Sequence, residues 1–181
     1  MRALIIVDVQ NDFISGALPV PGAAEVVPVI NELAKKYEVV VATADWHQPD
    51  DPEFQQFPPH CLAGSEGADF PADLDRSRID GKVFTKANFS GFSNDLLGAY
   101  LKRQGVTSVH VVGLATDFCV KATALDALKL GFRTRVILDA CRGIDPKPAE
   151  MELLNAGAEL QIGEAVFDLG PASHGCCKGV W

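Results

Sequence analysis

The chain has 181 residues, 48% of them hydrophobic, which suits one domain with its own buried core. A formal net charge of −8 argues against nucleic acid or an anionic membrane as a partner, and no apolar run approaches the roughly 20 residues of a membrane span. Five cysteines without paired spacing, and an N-terminal run interrupted by Asp8 rather than built as an export leader, read as reduced thiols in a cytoplasmic protein.

Ala3 to Val7 is a continuous aliphatic run, as in a central parallel strand buried on both faces, and it ends in Asp8-Val9-Gln10-Asn11-Asp12-Phe13. Ligand sites of parallel α/β sheets form at the carboxyl ends of strands, so Asp8 is a candidate acid, with a loop or capping carboxylate as the plainer reading. Ser15 to Gly22 reads as a loop. Glu25 to Tyr37 has helical spacing through Val26, Val29, Ile30, Leu33 and Ala34, and Pro28 falls in its first turn. Val39 to Ala42 is a second strand, running into Thr43-Ala44-Asp45-Trp46-His47. Side chains on extended backbone repeat every two residues, so Asp45 and His47 project to one side as a ligand pair for a divalent metal. The irregular stretch from Gln48 to Phe70 adds Glu53 and then Pro58-Pro59-His60-Cys61, where His60 can close the metal site.

Lys82 to Lys86 is a third strand with Lys86 at its carboxyl end, and Asn88 to Ser93 is a loop whose Ser93 can cap a helix running to Gln104. Val109 to Val112 is a fourth strand. It enters Gly113-Leu114-Ala115-Thr116-Asp117-Phe118-Cys119-Val120, followed by a helix over Lys121 to Leu130. Thr116 or Asp117 can cap that helix, and a cysteine in the first turn sits where free N–H groups and the helix dipole favour a thiolate. Cys119 is therefore either a nucleophile on a strand-to-helix turn or a buried structural thiol. Arg133 to Leu138 is a fifth strand, Lys147 to Ala156 a helix closed by Gly157, and Ala158 to Ile162 a last strand. Strands alternating with helices imply a three-layer α/β/α sandwich with a mainly parallel, Rossmann-like sheet of about six strands. One domain over residues 1–165 is expected, then an irregular tail over 166–181. The tail's Ser173-His174-Gly175-Cys176-Cys177 reads as incidental thiols rather than a soft-metal site.

Taken together, these positions resemble the isochorismatase-like cysteine hydrolases and, within them, the nicotinamidases. The resemblance spans about residues 1 to 165. It is carried by Ile5 to Phe13, Asp45-Trp46-His47, Pro58 to Cys61, Lys86, Ser90-Gly91-Phe92 and Gly113 to Val120. It implies Asp8, Lys86 and Cys119 as the catalytic set, with an oxyanion hole on the backbone N–H groups of Ala115 and Cys119 and a cis Leu114–Ala115 peptide. It also implies Asp45, His47 and His60 as ligands of one divalent ion: zinc first, with manganese or iron as alternatives. Glu53 stands where some relatives place a fourth ligand. Phe13, Phe57 and Phe89 fall where the family packs rings around a flat substrate. Many relatives have Trp at the place of Phe57 and Tyr at that of Phe89, so polar handles are lost here.

The activity so implied is hydrolysis of nicotinamide to nicotinate and ammonia through a thioester, with pyrazinamide also accepted, in pyridine-nucleotide salvage. A superfamily amidase for another small amide is the alternative enzyme, and a thiol or redox-sensing protein is the alternative class. A redox sensor needs a low-pKa cysteine but no base at Asp8, which favours the enzyme. The expected partner is a small amide; a homo-oligomer is left open.

Overall fold

The computed structural model describes residues 1–79 and 81–170; the Ser173 to Cys177 motif lies outside them. Seven strands form one sheet in the order β3-β2-β1-β4-β5-β6-β7. They are β1 (Arg2–Val7), β2 (Val39–Asp45), β3 (Val83–Lys86), β4 (Ser108–Leu114), β5 (Arg133–Arg142), β6 (Glu159–Ile162) and β7 (Ala165–Phe167). The first six pair in parallel, and β7 returns antiparallel to β6. The helices are the short α1 (Asn11–Ile14), then α2 (Val26–Ala34), α3 (Asp95–Arg103), α4 (Lys121–Lys129) and α5 (Pro146–Asn155).

Every residue of β2, and all but Arg2 of β1, is buried, as expected of aliphatic strands covered on both faces. The chain leaves β1 for β2 and β3 on one side, then crosses to β4 on the other. Right-handed crossovers running in opposite directions put α2 on one face and α3, α4 and α5 on the other. The strand order reverses between β1 and β4, so a crevice opens there at the carboxyl ends. Gly113 makes that junction tight. It sits at φ 116°, and a Cβ there would lie 2.1 Å from the Val7 carbonyl oxygen.

The expected α/β/α sandwich is present, with three differences in detail. The sheet gains β7, because Gly163 at φ 56° turns the chain back so that Ala165 pairs with Ile162. Three residues are too few to show a period. The cap of α3 is Asn94, whose Oδ1 accepts from the Leu96 N–H at 3.1 Å, one residue beyond Ser93. Neither Thr116 nor Asp117 caps α4, because Thr116–Val120 coils as a π-helical turn that runs directly into it. Among the described residues no helix is long and apolar enough to cross a membrane.

Candidate active site

Four strand ends meet at the crevice. Asp8 follows β1 in the left-handed region at φ 49°, a conformation in which Asp is enriched among non-glycine residues. Asp45 ends β2, Lys86 ends β3 in register with it, and Cys119 lies in the π-helical turn after β4. The Leu114–Ala115 peptide before that turn is cis.

All four side chains are buried. Lys86 Nζ lies 2.8 Å from Asp8 Oδ2, donates to Asp45 Oδ1, and donates to Cys119 Sγ at 3.5 Å. Asp8, Asp45 and Cys119 each offer an atom within 4.8 Å of the others. Thr43 Oγ1 donates to Asp8 Oδ1 at 2.6 Å and fixes the carboxylate from the other side.

Burial pushes the Asp8 carboxyl up to about 6, against the opposing pull of Lys86. Burial also drives the Cys119 thiol well above its ordinary value, with Lys86 opposing and the Asp8 and Asp45 carboxylates adding to the rise. The expectation that a helix N-terminus would hold a resting thiolate is thereby corrected. Cys119 sits too deep, beside too many carboxylates, and rests as a thiol. Lys86 is held charged well above its ordinary range: its two carboxylate partners, Asp8 and Asp45, outweigh the cost of burial. The cluster therefore holds a protonated thiol next to a carboxylate that is ionised near neutral pH.

Beside it, Asp45, His47 and His60 gather three ligand atoms within 4.8 Å of one another. The loop returns to β2 because the His47 N–H donates to the Cys61 carbonyl at 3.0 Å and the Ala63 N–H to the His47 carbonyl at 2.9 Å. Each imidazole is tied at Nδ1. His47 donates to Asp51 Oδ2 at 2.9 Å, and His60 to the Pro58 carbonyl at 2.8 Å. The Nε2 atoms are thus the ones left for a cation, and His47 Nε2 is buried with no hydrogen-bond partner. Against the cost of burial, Asp45 and Asp51 push the His47 imidazole up to about 9, so a cation there takes the place of a proton. An orphaned buried nitrogen facing Asp45 Oδ2 at 3.7 Å and a second imidazole fits a divalent cation. Glu53 is half-buried at the rim, its Oε1 3.9 Å from His60 Nε2; it falls outside the Asp45-His47-His60 group but gathers with His47 and Asp51 in a neighbouring one.

These groups open into a cavity of about 240 Å³ lined by Phe13, Phe57, Phe89, Phe118 and Ile144 beside Ala115 and Cys119. The rings of Phe57, Phe89 and Phe118 form a box with centroid separations of 5.8 to 6.5 Å. The sequence placed Phe13, Phe57 and Phe89 here but not Phe118 or Ile144. Phe118 precedes the cysteine and is visible in hindsight. Ile144 arrives because Asp117 accepts from the Ile144 and Asp145 N–H groups at 3.2 and 2.8 Å, a clamp with no local signature. Gln10 is another residue without a prior role. Its amide accepts from the Asp45 N–H and donates to the Asp45 and Ala68 carbonyls, so it locks the end of β2.

Residues 2–166 match the isochorismatase domain model. The chain is similar to the nicotinamidase/pyrazinamidase of Mycobacterium tuberculosis, at 43% identity over 80% of this chain and 88% of that protein. Among solved structures it is similar to the pyrazinamidase of Pyrococcus horikoshii in complex with zinc, with a TM-score of 0.80 and 37% identity over 91% and 99% of the two chains. An L. infantum protein in complex with nicotinate matches with a TM-score of 0.84 and 32% identity over 91% and 96%. The chain belongs to the isochorismatase domain family.

Proposed function

We propose that this protein is a metal-dependent cysteine amidohydrolase that converts nicotinamide to nicotinate and ammonia and also accepts pyrazinamide. The observation that carries the reading is one thiol, one carboxylate and one ammonium in mutual contact beside an Asp-His-His cluster, at an aromatic cavity. Relatives named nicotinamidase, and structural neighbours holding zinc or nicotinate, support the same substrate class.

In the first half-reaction Asp8 takes the Cys119 thiol proton as sulfur attacks the carboxamide carbon. Lys86 offsets the negative charge that accumulates, and the backbone N–H groups of Ala115 and Cys119 receive the oxyanion. Asp8 then returns the proton to the departing nitrogen, the C–N bond breaks, and ammonia leaves behind a thioester. In the second half-reaction Asp8 takes a proton from water, whose oxygen attacks the thioester carbon. The C–S bond breaks, the carboxylic acid is released as its anion, and the thiol is restored. Asp45, His47 and His60, with Glu53 at the rim, would hold the divalent ion. We assign it as zinc, with manganese or iron as alternatives; when bound it supplies a Lewis-acid anchor for the ring nitrogen. The ring cluster of Phe57, Phe89 and Phe118, with Phe13 across the cavity lining, forms an apolar wall for the flat substrate. The free thiols of Cys61, Cys119 and Cys141 support a reducing, cytoplasmic setting.

Ammonia release from nicotinamide, pyrazinamide and a panel of aliphatic amides, with and without a chelator, tests the proposal. Cys119→Ala should lower turnover on nicotinamide by about 10³-fold or more with the fold intact by circular dichroism. Near-normal turnover by that variant refutes the mechanism. Chelator-insensitive activity confined to aliphatic amides refutes the substrate and leaves an amidase.

A further inference from the structure

The amino ends of the strands, at the opposite edge of the sheet from the cysteine, hold a concentration of positive charge that the chemistry above does not use. In the β1-β4-β5 register, Arg2 aligns with Ser108 and Arg133, and the next row on the same face aligns Leu4 with His110 and Arg135. This is the face that α2 covers. The helix packs on β5 and β4 and ends at Ala34, and the chain turns through Tyr37, so the corner at the amino ends of those strands lies beyond it. A polar cleft of about 410 Å³ fills that corner, lined by Arg2, Thr107, Ser108, His110, Arg133 and Arg135. A second hollow continues from it past Tyr37, sharing Arg2, His110 and Arg135. We propose that this cleft is a binding site for a phosphate-bearing anion, distinct from the catalytic cavity.

Three features support it. The first is charge in excess. Arg133 Nε and Arg135 Nε both donate to the one Glu159 carboxylate at 2.7 Å, Arg135 Nη1 donates to Gln161 Oε1 at 3.1 Å, and Arg2 forms no ion pair among the described residues, where it lies over the Tyr37 ring. Two guanidinium groups thus share one carboxylate and a third has none, in a chain whose formal net charge is −8. The second is a buried imidazole that lines the cleft. His110 is only 5% exposed, and its Nδ1 lies 2.5 Å from the Tyr37 hydroxyl. Burial, together with Arg135 and Arg2, pushes the imidazole down to about 4, so it is neutral. Burial likewise pushes the Tyr37 phenol up, so the hydroxyl keeps its proton and donates. Nδ1 therefore accepts, and Nε2 carries the hydrogen, with no bonded acceptor among the described residues. The third is geometry. The unpaired Arg2 fork, with the Ser108 hydroxyl beside it in register and the His110 imidazole in the same cleft, is a donor set that tetrahedral oxyanions take, and the positive charge of Arg133 and Arg135, only half offset by Glu159, adds to it.

The ligand can be free phosphate or the monoester of a larger molecule, and the hollow past Tyr37 leaves room for the rest of an ester. Titration calorimetry on the metal-loaded enzyme at low salt, with inorganic phosphate and with a nucleoside monophosphate, distinguishes the two. Saturable one-to-one binding is expected. Arg2→Gln and Arg135→Gln should each weaken it by about tenfold or more, and Glu159→Gln should tighten it severalfold by removing the competing carboxylate. Tighter binding of the monoester identifies an ester ligand, and equal binding identifies free phosphate. All three variants should keep wild-type amide hydrolysis, which separates this site from the catalytic one. Absence of saturation, or an affinity that survives both arginine substitutions, overturns the proposal.

Discussion

Asp51 shows how a side chain outside the Asp45-His47-His60 cluster holds it in place. Its Oδ2 accepts from His47 Nδ1 and its Oδ1 accepts from the Glu53 N–H at 2.9 Å, so one carboxylate both orients an imidazole and caps the turn that carries Glu53. These jobs separate by substitution. Serine can still cap the turn but is too short to reach the ring. Asp51→Ser is expected to weaken divalent-metal affinity by about 10- to 100-fold, while Asp51→Asn, which keeps an acceptor, stays much closer to wild type. Competition with a chromophoric chelator measures this directly, and equal affinities for both variants would remove Asp51 from the account. Nothing in the sequence marks this residue. It is one of several acids in an irregular loop, and only the path of that loop brings it under His47.

Among the elements, the junction of β1 and β4 carries the tightest constraint. Gly113 adopts a backbone conformation that side chains avoid, and any Cβ there would run into the Val7 backbone at a distance no contact allows. Both strands must then part, and Asp8 and the Cys119 turn ride on their ends. Gly113→Ala should cost about 3 kcal/mol or more, a size reached only when backbone strain and overpacking combine, read as the shift in a urea unfolding midpoint. The helices were easier to foresee than this glycine. The 3.6-residue spacing of Val26, Ile30 and Ala34 is written in neighbouring positions, and the same residues are buried in α2. The π-helical turn at Thr116–Val120 was not foreseen, because a π turn and a capped α-helix share the same residue types. The outcome depends on Asp117 bonding the β5–α5 loop instead of its own turn.

For the molecule as a whole, the two ends of the sheet carry opposite characters. The carboxyl edge buries acids, a thiol and a lysine; the amino edge carries arginines around a neutral histidine. His110 links that amino edge to stability. Its folded pKa of about 4 lies below the ordinary value of 6.5, so the unfolded chain binds more protons between those values. Its contribution is complete above about pH 6.5, fades as pH falls, and is lost below about 4, amounting to at most about 3 kcal/mol. Urea unfolding of the wild type and His110→Asn across this interval should show a steeper loss of stability on acidification in the wild type. Parallel pH dependences would refute the role of His110.

Sequence alone determined the class of fold and picked out most of the residues that gather at the crevice, because both are encoded locally. A strand shows as an aliphatic run, and in a parallel sheet the residue just past its end stands at the edge where sites form. Asp8, Asp45, Lys86 and the Cys119 turn were legible for that reason. Tertiary structure alone decided which of these groups touch, how burial redistributes their protons, and which supporting residues hold them. Those outcomes depend on strand order and loop path over tens of residues, and a one-dimensional pattern carries no distance between residues that far apart. The thiol that local reasoning expected as a thiolate is the clearest case. Its turn was written in the sequence, but the depth at which that turn is buried was not.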